Sequence, residues 1–209
     1  MCKLCGSKTK TEYDKQTKCH FHFCDKCGFI YKEDDDLIDV SLEMDHYSKH
    51  DNNFENKGYV KMFNDLLDQI DDYIDYSGLI LDYGCGPGPV LSELMKQRGG
   101  TVKTYDLYFP HSEDYSEYHY DIITVTEVIE HFKQPLKDLK KIVNLLKPNG
   151  KLVIRTMFIQ EPFFDWWYRR DYTHVTYYND KVFEFIAEKF GLKIIYSDNY
   201  NTIILQKYK

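Results

Sequence analysis

A chain of 209 residues and 25.0 kDa, 43% hydrophobic and 16% aromatic, allows one full domain and a small appendage. A net charge of −7 and a pI near 5.6 argue against a nonspecific grip on a phosphate backbone. No apolar run approaches the roughly eighteen residues of a membrane span and no charged-then-apolar leader follows Met1, so a soluble, cytoplasmic protein with no membrane partner is expected.

Five of the six cysteines fall within the first 27 residues. Cys2/Cys5 and Cys24/Cys27 are two CxxC pairs with eighteen residues between them, the knuckle spacing of a zinc ribbon, here residues 1–31. Gly6 and Gly28 follow the second cysteine of each pair and suit the tight turn. Four thiolates would close a tetrahedron and leave no open position, which makes the expected zinc structural. Disulfides are disfavoured without an export signal. A redox pair is disfavoured because neither CxxC opens a helix beside a parallel strand. Cys19, His20 and His22 crowd the second knuckle as substitute ligands.

Residues 32–36 are an acidic run, and 32–57 reads as an acidic linker. The main domain is expected over 58–209. It opens with Tyr59, Val60, Met62, Phe63, Leu66, Leu67 and Ile70 at helical spacing, an amphipathic helix. Residues 79–83 then form a short apolar run that breaks into Gly84, Gly86 and Gly88, with a helix pattern from about residue 89. Glycines where a strand hands over to a helix let the backbone turn sharply and approach a ligand. Residues 101–105 read as a second strand ending on Asp106, where an acid in nucleoside-binding α/β folds accepts hydrogen bonds from ribose. Alternating strands and helices follow at 121–125, 136–146, 151–156, 182–189, 192–197 and 201–206, which demands a parallel sheet with right-handed crossovers and a final antiparallel strand.

LDYGCGPG at 81–88, YD at 105–106, YDIITVTEVIEHF at 120–132 and LLKPNGKLVI at 145–154 resemble, in order and spacing, the successive motifs of class I S-adenosylmethionine-dependent methyltransferases. The resemblance covers roughly residues 77–209. It implies an α/β, Rossmann-like sheet and an enzyme whose cofactor contacts come from Asp82, Gly84, Cys85, Gly86, Gly88, Asp106, Leu107 and Thr126. Tyr59, with Tyr47, is a further candidate, because helices ahead of the first strand roof the cofactor pocket in that family. Cys85 also reads as a plain packing residue. Only fourteen residues, 107–120, separate the ribose acid from the next strand, so a trimmed sheet is expected. Its adenine pocket would be a short loop around Leu107, Tyr108 and Phe109.

Residues 157–178 hold both tryptophans and follow a strand's C-terminal end, which suits an acceptor lid or a loop that merely closes the domain. The DxTHVxxY stretch at 171–178 resembles one in zinc-ribbon-bearing bacterial members of the family. If a helical turn starts after the strand at 122–125, Glu127, Glu130 and His131 share a face, and His174 would join them from the lid. This ExxEH set resembles that of the small-RNA 3′-terminal 2′-O-methyltransferases and the ubiquinone-pathway O-methyltransferases, where a magnesium-type ion holds the acceptor hydroxyls. Three readings stay open: the four residues hold magnesium or manganese, His131 or His174 acts alone as base, or all four only line the pocket. The acceptor reads first as a small metabolite or sugar hydroxyl. RNA, and a non-catalytic adaptor that keeps cofactor affinity, remain the alternatives.

Overall fold

The computed structural model describes residues 1–48, 52–109 and 114–208. The chain begins with a small antiparallel sheet: β1 (Lys10–Asp14), β2 (Cys19–Phe23) and β3 (Ile30–Lys32). The stretch read as a linker carries a helix, α1 (Val40–Ser48). Next comes α2 (Lys57–Ile70), which starts where the Asn56 side chain accepts from the Tyr59 N–H and buries Phe63, Leu66, Leu67 and Ile70. The core then alternates: β4 (Leu79–Tyr83), α3 (Val90–Gln97), β5 (Thr101–Tyr105), β6 (Tyr120–Thr126), α4 (Pro135–Leu145) and β7 (Leu146–Arg155). A long connection contains the two-residue strand β8 (Thr176–Tyr177) before α5 (Asp180–Phe190), β9 (Leu192–Ser197) and β10 (Thr202–Lys207).

The main sheet runs in the order β5-β4-β6-β7-β10-β9. β5, β4, β6 and β7 are mutually parallel, and β10 enters antiparallel between β7 and β9. This is the Rossmann-like α/β arrangement expected. Strand periodicity assigns the two faces. Ile80, Ile122, Val153 and Ile204 pack under α2 and α3; Leu81, Ile123, Val125, Leu152, Ile154, Ile203 and Leu205 pack under α4 and α5. Burying each such side chain contributes about 1.5–3 kcal/mol, so the two helix layers hold the sheet by their apolar faces.

The expected trimming is present. β5 is the sheet edge, and residues 115–117 form a single turn where a helix and strand would otherwise lie. Part of the shortened 107–120 loop, residues 110–113, lies outside the described residues. Three tyrosines cover the exposed sheet face: Tyr105 and Tyr115 have ring centroids 4.0 Å apart, Tyr83 and Tyr105 4.7 Å apart. The Lys141 ammonium sits 5.2 Å from two of these rings. No helix among the described residues is long and apolar enough to cross a membrane.

β8 does not join the main sheet. It pairs antiparallel with β3, with Ile30 opposite Tyr177 and Tyr31 opposite Thr176, so the N-terminal ribbon and the 157–178 connection share one four-stranded sheet. Phe21 and Ile30 from the ribbon pack with Phe163, Trp166, Tyr168 and Tyr177 from the connection.

Candidate active site

The C-terminal ends of β4, β5 and β6 open into a cavity of about 1330 Å³ roofed by α1 and α2. At its floor Gly84 has φ +84°, and a Cβ there would meet Val128 Cγ2 at 2.3 Å. A Cβ on Gly88 would lie 1.9 Å from the Asn52 carbonyl oxygen. The turn therefore closes only with glycines. Asp106 pins it: one carboxylate oxygen accepts from the Gly86 N–H at 2.9 Å, the other from the Tyr108 and Phe109 N–H groups at 2.8 and 3.2 Å.

Tyr59, Gly84, Gly86, Asp106, Leu107, Thr126 and the expected adenine-loop residues Tyr108 and Phe109 all line this cavity. Asp82, Cys85 and Gly88 do not. Asp82 points into the layer beneath α3, where it accepts from Ser92 Oγ at 2.7 Å and Thr124 Oγ1 at 3.0 Å. Cys85 is buried, and burial pushes its thiol well above the usual range, which suits packing and not a nucleophile. Missed in the sequence was α1, whose Val40, Glu43, Met44 and Tyr47 follow i, i+3, i+4, i+7 spacing and line the cavity. Glu43 is buried and paired with Lys133 at 2.7 Å.

On the acceptor side the structure brings Glu130, His131 and His174 together, with one ligand atom of each within 4.8 Å of the others. Glu127 lines the same cavity as these three but not by the expected helical face. β6 ends not in an α-helix but in a turn with Glu127 at φ +54°, followed by one 3-10 turn, Ile129–His131. Glu127 therefore swings to the Arg155 guanidinium. Its carboxyl is nonetheless pushed up to about 7, because burial and repulsion from Glu130 outweigh Arg155. Burial likewise raises Glu130 and lowers His131.

The hydrogen bonds around this cluster fix its chemistry. His131 Nδ1 lies 2.9 Å from the Thr173 carbonyl and His174 Nδ1 2.9 Å from the Tyr168 carbonyl. A carbonyl can only accept, so both Nδ1 atoms carry the proton and both Nε2 atoms keep a lone pair. The Tyr168 hydroxyl donates to Glu130 Oε1 at 2.5 Å, while Glu130 Oε2 is buried without a hydrogen-bond partner. Burial and neighbouring His131 drop His174 to about 3, so it stays neutral near pH 7. Two lone-pair nitrogens, each with its other nitrogen anchored to a carbonyl, plus an unsatisfied carboxylate oxygen, match what a divalent cation takes from protein.

At the other end of the ribbon the four cysteines also converge, with ligand sulfurs mutually within 4.8 Å. Cys2 and Cys27 sulfurs are 3.7 Å apart and Cys5 and Cys24 sulfurs 3.4 Å apart. The knuckles repeat one another: Gly6 N–H donates to Cys2 O as Gly28 N–H does to Cys24 O, with Gly6 at φ +74° and Gly28 at φ +77°. The Leu4 and Cys5 N–H groups point at Cys2 Sγ at 3.4 and 3.5 Å, favouring the thiolate. This donor set fits a tetrahedral zinc. The substitute ligands are engaged elsewhere: Cys19 donates to Thr17 O, His20 faces Asp36 and His22 faces Glu33.

A glycine-cradled cavity at the C-terminal ends of parallel strands, beside a cluster of titratable groups, is the ligand-site layout of a Rossmann-like α/β fold. Residues 55–197 match the methyltransferase domain family, and the chain belongs to it. The mitochondrial ubiquinone biosynthesis O-methyltransferase of Schizosaccharomyces pombe is 31% identical over 104 residues, covering 37% of this chain and 37% of that protein. The chain spans between 37% and 56% of the length of the curated relatives it matches. Among solved structures, an S-adenosylmethionine-dependent methyltransferase from Archaeoglobus fulgidus has the same fold, with TM-score 0.56, 16% identity and coverage of 81% of this chain and 100% of that one. The 1,6-didemethyltoxoflavin-N1-methyltransferase of Burkholderia thailandensis shares it at TM-score 0.55 and 13% identity, covering 97% of this chain and 100% of that one.

Proposed function

We propose that the enzyme methylates a hydroxyl oxygen of a small-molecule acceptor held at a divalent cation, magnesium or manganese, by Glu130, His131 and His174. The observation that carries this reading is the pair of imidazoles, each anchored at Nδ1 by a backbone carbonyl, that converge within 4.8 Å on a carboxylate with an unpartnered oxygen. A bound cation lowers the pKa of a coordinated hydroxyl and makes it a nucleophile near neutral pH. The protein's own part is positional. Gly84, Gly86 and Asp106 hold the cofactor from below, Tyr59 and Tyr47 close it from above, and His131 and His174 hold the acceptor end. Tyr168 fixes Glu130, and Glu127, tied back to Arg155, forms the wall between the two halves.

The O-methyltransferase names of the relatives support oxygen as the acceptor atom. The net charge of −7 favours a small molecule over RNA. The cysteine ribbon is assigned one structural zinc. The test is incubation with methyl-labelled S-adenosylmethionine and fractionated cell extract, with and without EDTA, followed by magnesium or manganese. Label in a small-molecule fraction, lost on chelation and restored by metal, is the expected result. Label in RNA would replace the acceptor, and turnover indifferent to EDTA would remove the cation and leave His131 or His174 as base.

A further inference from the structure

The position of His174 is set from two sides, and one of them is the ribbon. β8 lies between β3 and the catalytic turn. Towards the turn, the Val175 N–H donates to the Glu130 carbonyl at 2.8 Å, Thr176 Oγ1 donates to the Ile129 carbonyl at 3.0 Å, and the Tyr178 hydroxyl donates to the same carbonyl at 3.1 Å. Towards the ribbon, the Lys32 N–H donates to the Val175 carbonyl at 2.9 Å, alongside the two β3–β8 residue pairs.

Two buried cations complete the joint. Lys32, 2% exposed, extends from β3 and donates its ammonium to the carbonyls of Asp171 at 3.0 Å and Tyr172 at 3.3 Å. Those carbonyls precede Thr173, whose own carbonyl anchors His131. From the opposite direction Arg169, also 2% exposed, lies 3.1 Å from Asp14 and donates to Gln16 Oε1 at 2.9 Å. Arg169 follows Tyr168, the residue that fixes both Glu130 and His174. An unpaired buried charge is costly, so each cation makes the ribbon and the lid mutually dependent. The cofactor cradle at Gly84, Gly86 and Asp106 shares none of these bonds.

We propose that the cysteine ribbon is the brace of the acceptor lid: Lys32 and Asp14 are positioning residues that set Tyr168 and His174 against Glu130 and His131, leaving cofactor binding independent. The inference rests on the acceptor-site reading above. The ribbon thus has a job inside its own chain, and loss of its fold disables acceptor capture without emptying the cofactor site.

The test compares wild type with Lys32→Met, with Asp14→Asn and with the Cys24→Ser/Cys27→Ser double variant, all in the full chain. Four quantities are read: metal content, S-adenosylmethionine affinity by calorimetry, manganese affinity by paramagnetic resonance, and amide exchange over 168–178. Emission from Trp166 and Trp167, the only tryptophans, reports the lid independently. Lys32→Met should keep its ribbon metal and bind S-adenosylmethionine within about 2-fold of wild type, while lid exchange accelerates by about 10-fold or more and manganese binding weakens about 10-fold. Asp14→Asn should move the same readouts in the same direction. The double variant should show the lid changes without ribbon metal. Unchanged lid exchange in all three variants overturns the brace, as does a loss of S-adenosylmethionine affinity that parallels the lid change. If wild type binds no manganese, the cation reading fails while lid exchange still decides the brace.

Discussion

The Tyr168 hydroxyl donates to Glu130 Oε1 at 2.5 Å, and both side chains are buried. It is the short donor to that carboxylate, whose Oε2 has no hydrogen-bond partner among the described residues. Tyr168→Phe keeps the ring stacked on Trp166, with centroids 5.0 Å apart, and deletes only the hydroxyl, which also lies 3.3 Å from Thr156 Oγ1 and 3.4 Å from Glu127 Oε2. A buried carboxylate that loses its shortest hydrogen bond costs about 1–3 kcal/mol. The urea midpoint should fall accordingly, with S-adenosylmethionine affinity preserved. An unchanged midpoint would mean that Glu130 is protonated or hydrated and does not depend on Tyr168.

Asp106 holds the glycine loop through three backbone N–H groups, at Gly86, Tyr108 and Phe109. Asp106→Ala removes both the proposed ribose acceptor and the pin that shapes the loop. S-adenosylmethionine binding should weaken by about 1–3 kcal/mol by calorimetry, the loss expected for hydrogen bonds to a charged group. Equal affinity in the variant would sink Asp106 as the ribose residue.

Elemental analysis should find one zinc per chain, displaced by chelation and absent from the Cys24→Ser/Cys27→Ser variant. Metal binding and ribbon folding are one event, so the stripped chain should lose order in residues 1–31 first. A metal-free wild type with an ordered ribbon would show that packing of Cys2, Leu4, Cys24, Cys27 and Phe29 into the main core suffices.

Much of the fold was legible because its signals are local. A five-residue apolar strand, three glycines and an acid after the next strand lie within 28 residues of one another, from Leu79 to Asp106. The fourteen-residue gap after Asp106 also showed that a strand was missing. What escaped reading depends on distance or on an exception. The β3–β8 pair joins three residues to two across more than 140 positions, too few for any periodicity to register. Helix α1 is short, and Val40, Leu42 and Met44 are all exposed, so no buried apolar stripe marks it. Glu127 was expected to share one helical face with Glu130 and His131. Its left-handed φ and the 3-10 turn that follows break that face, a departure of the sort that clusters at functional sites.

Lys32 offers a pH-dependent signature. Burial lowers its pKa from 10.5 to about 8, against the smaller opposing pull of Cys19, Asp171 and Asp36. The folded chain therefore releases this proton near pH 8, while the unfolded chain holds it to about 10.5. Between those values the unfolded state binds more protons, so Lys32 makes stability rise with pH in that window, by at most about 1.4 kcal/mol per unit. Other groups, including tyrosines and cysteines, titrate there too, and comparison with Lys32→Met cancels them. Urea unfolding of both proteins at about pH 7.5 and about pH 9.5 should give a wild-type-minus-variant difference that shifts in favour of wild type as the pH rises. A flat difference would show that the ammonium is solvated, with no burial cost for deprotonation to relieve. A difference that falls with pH would mean that the charge itself, held by the Asp171 and Tyr172 carbonyls, stabilises the joint between ribbon and lid.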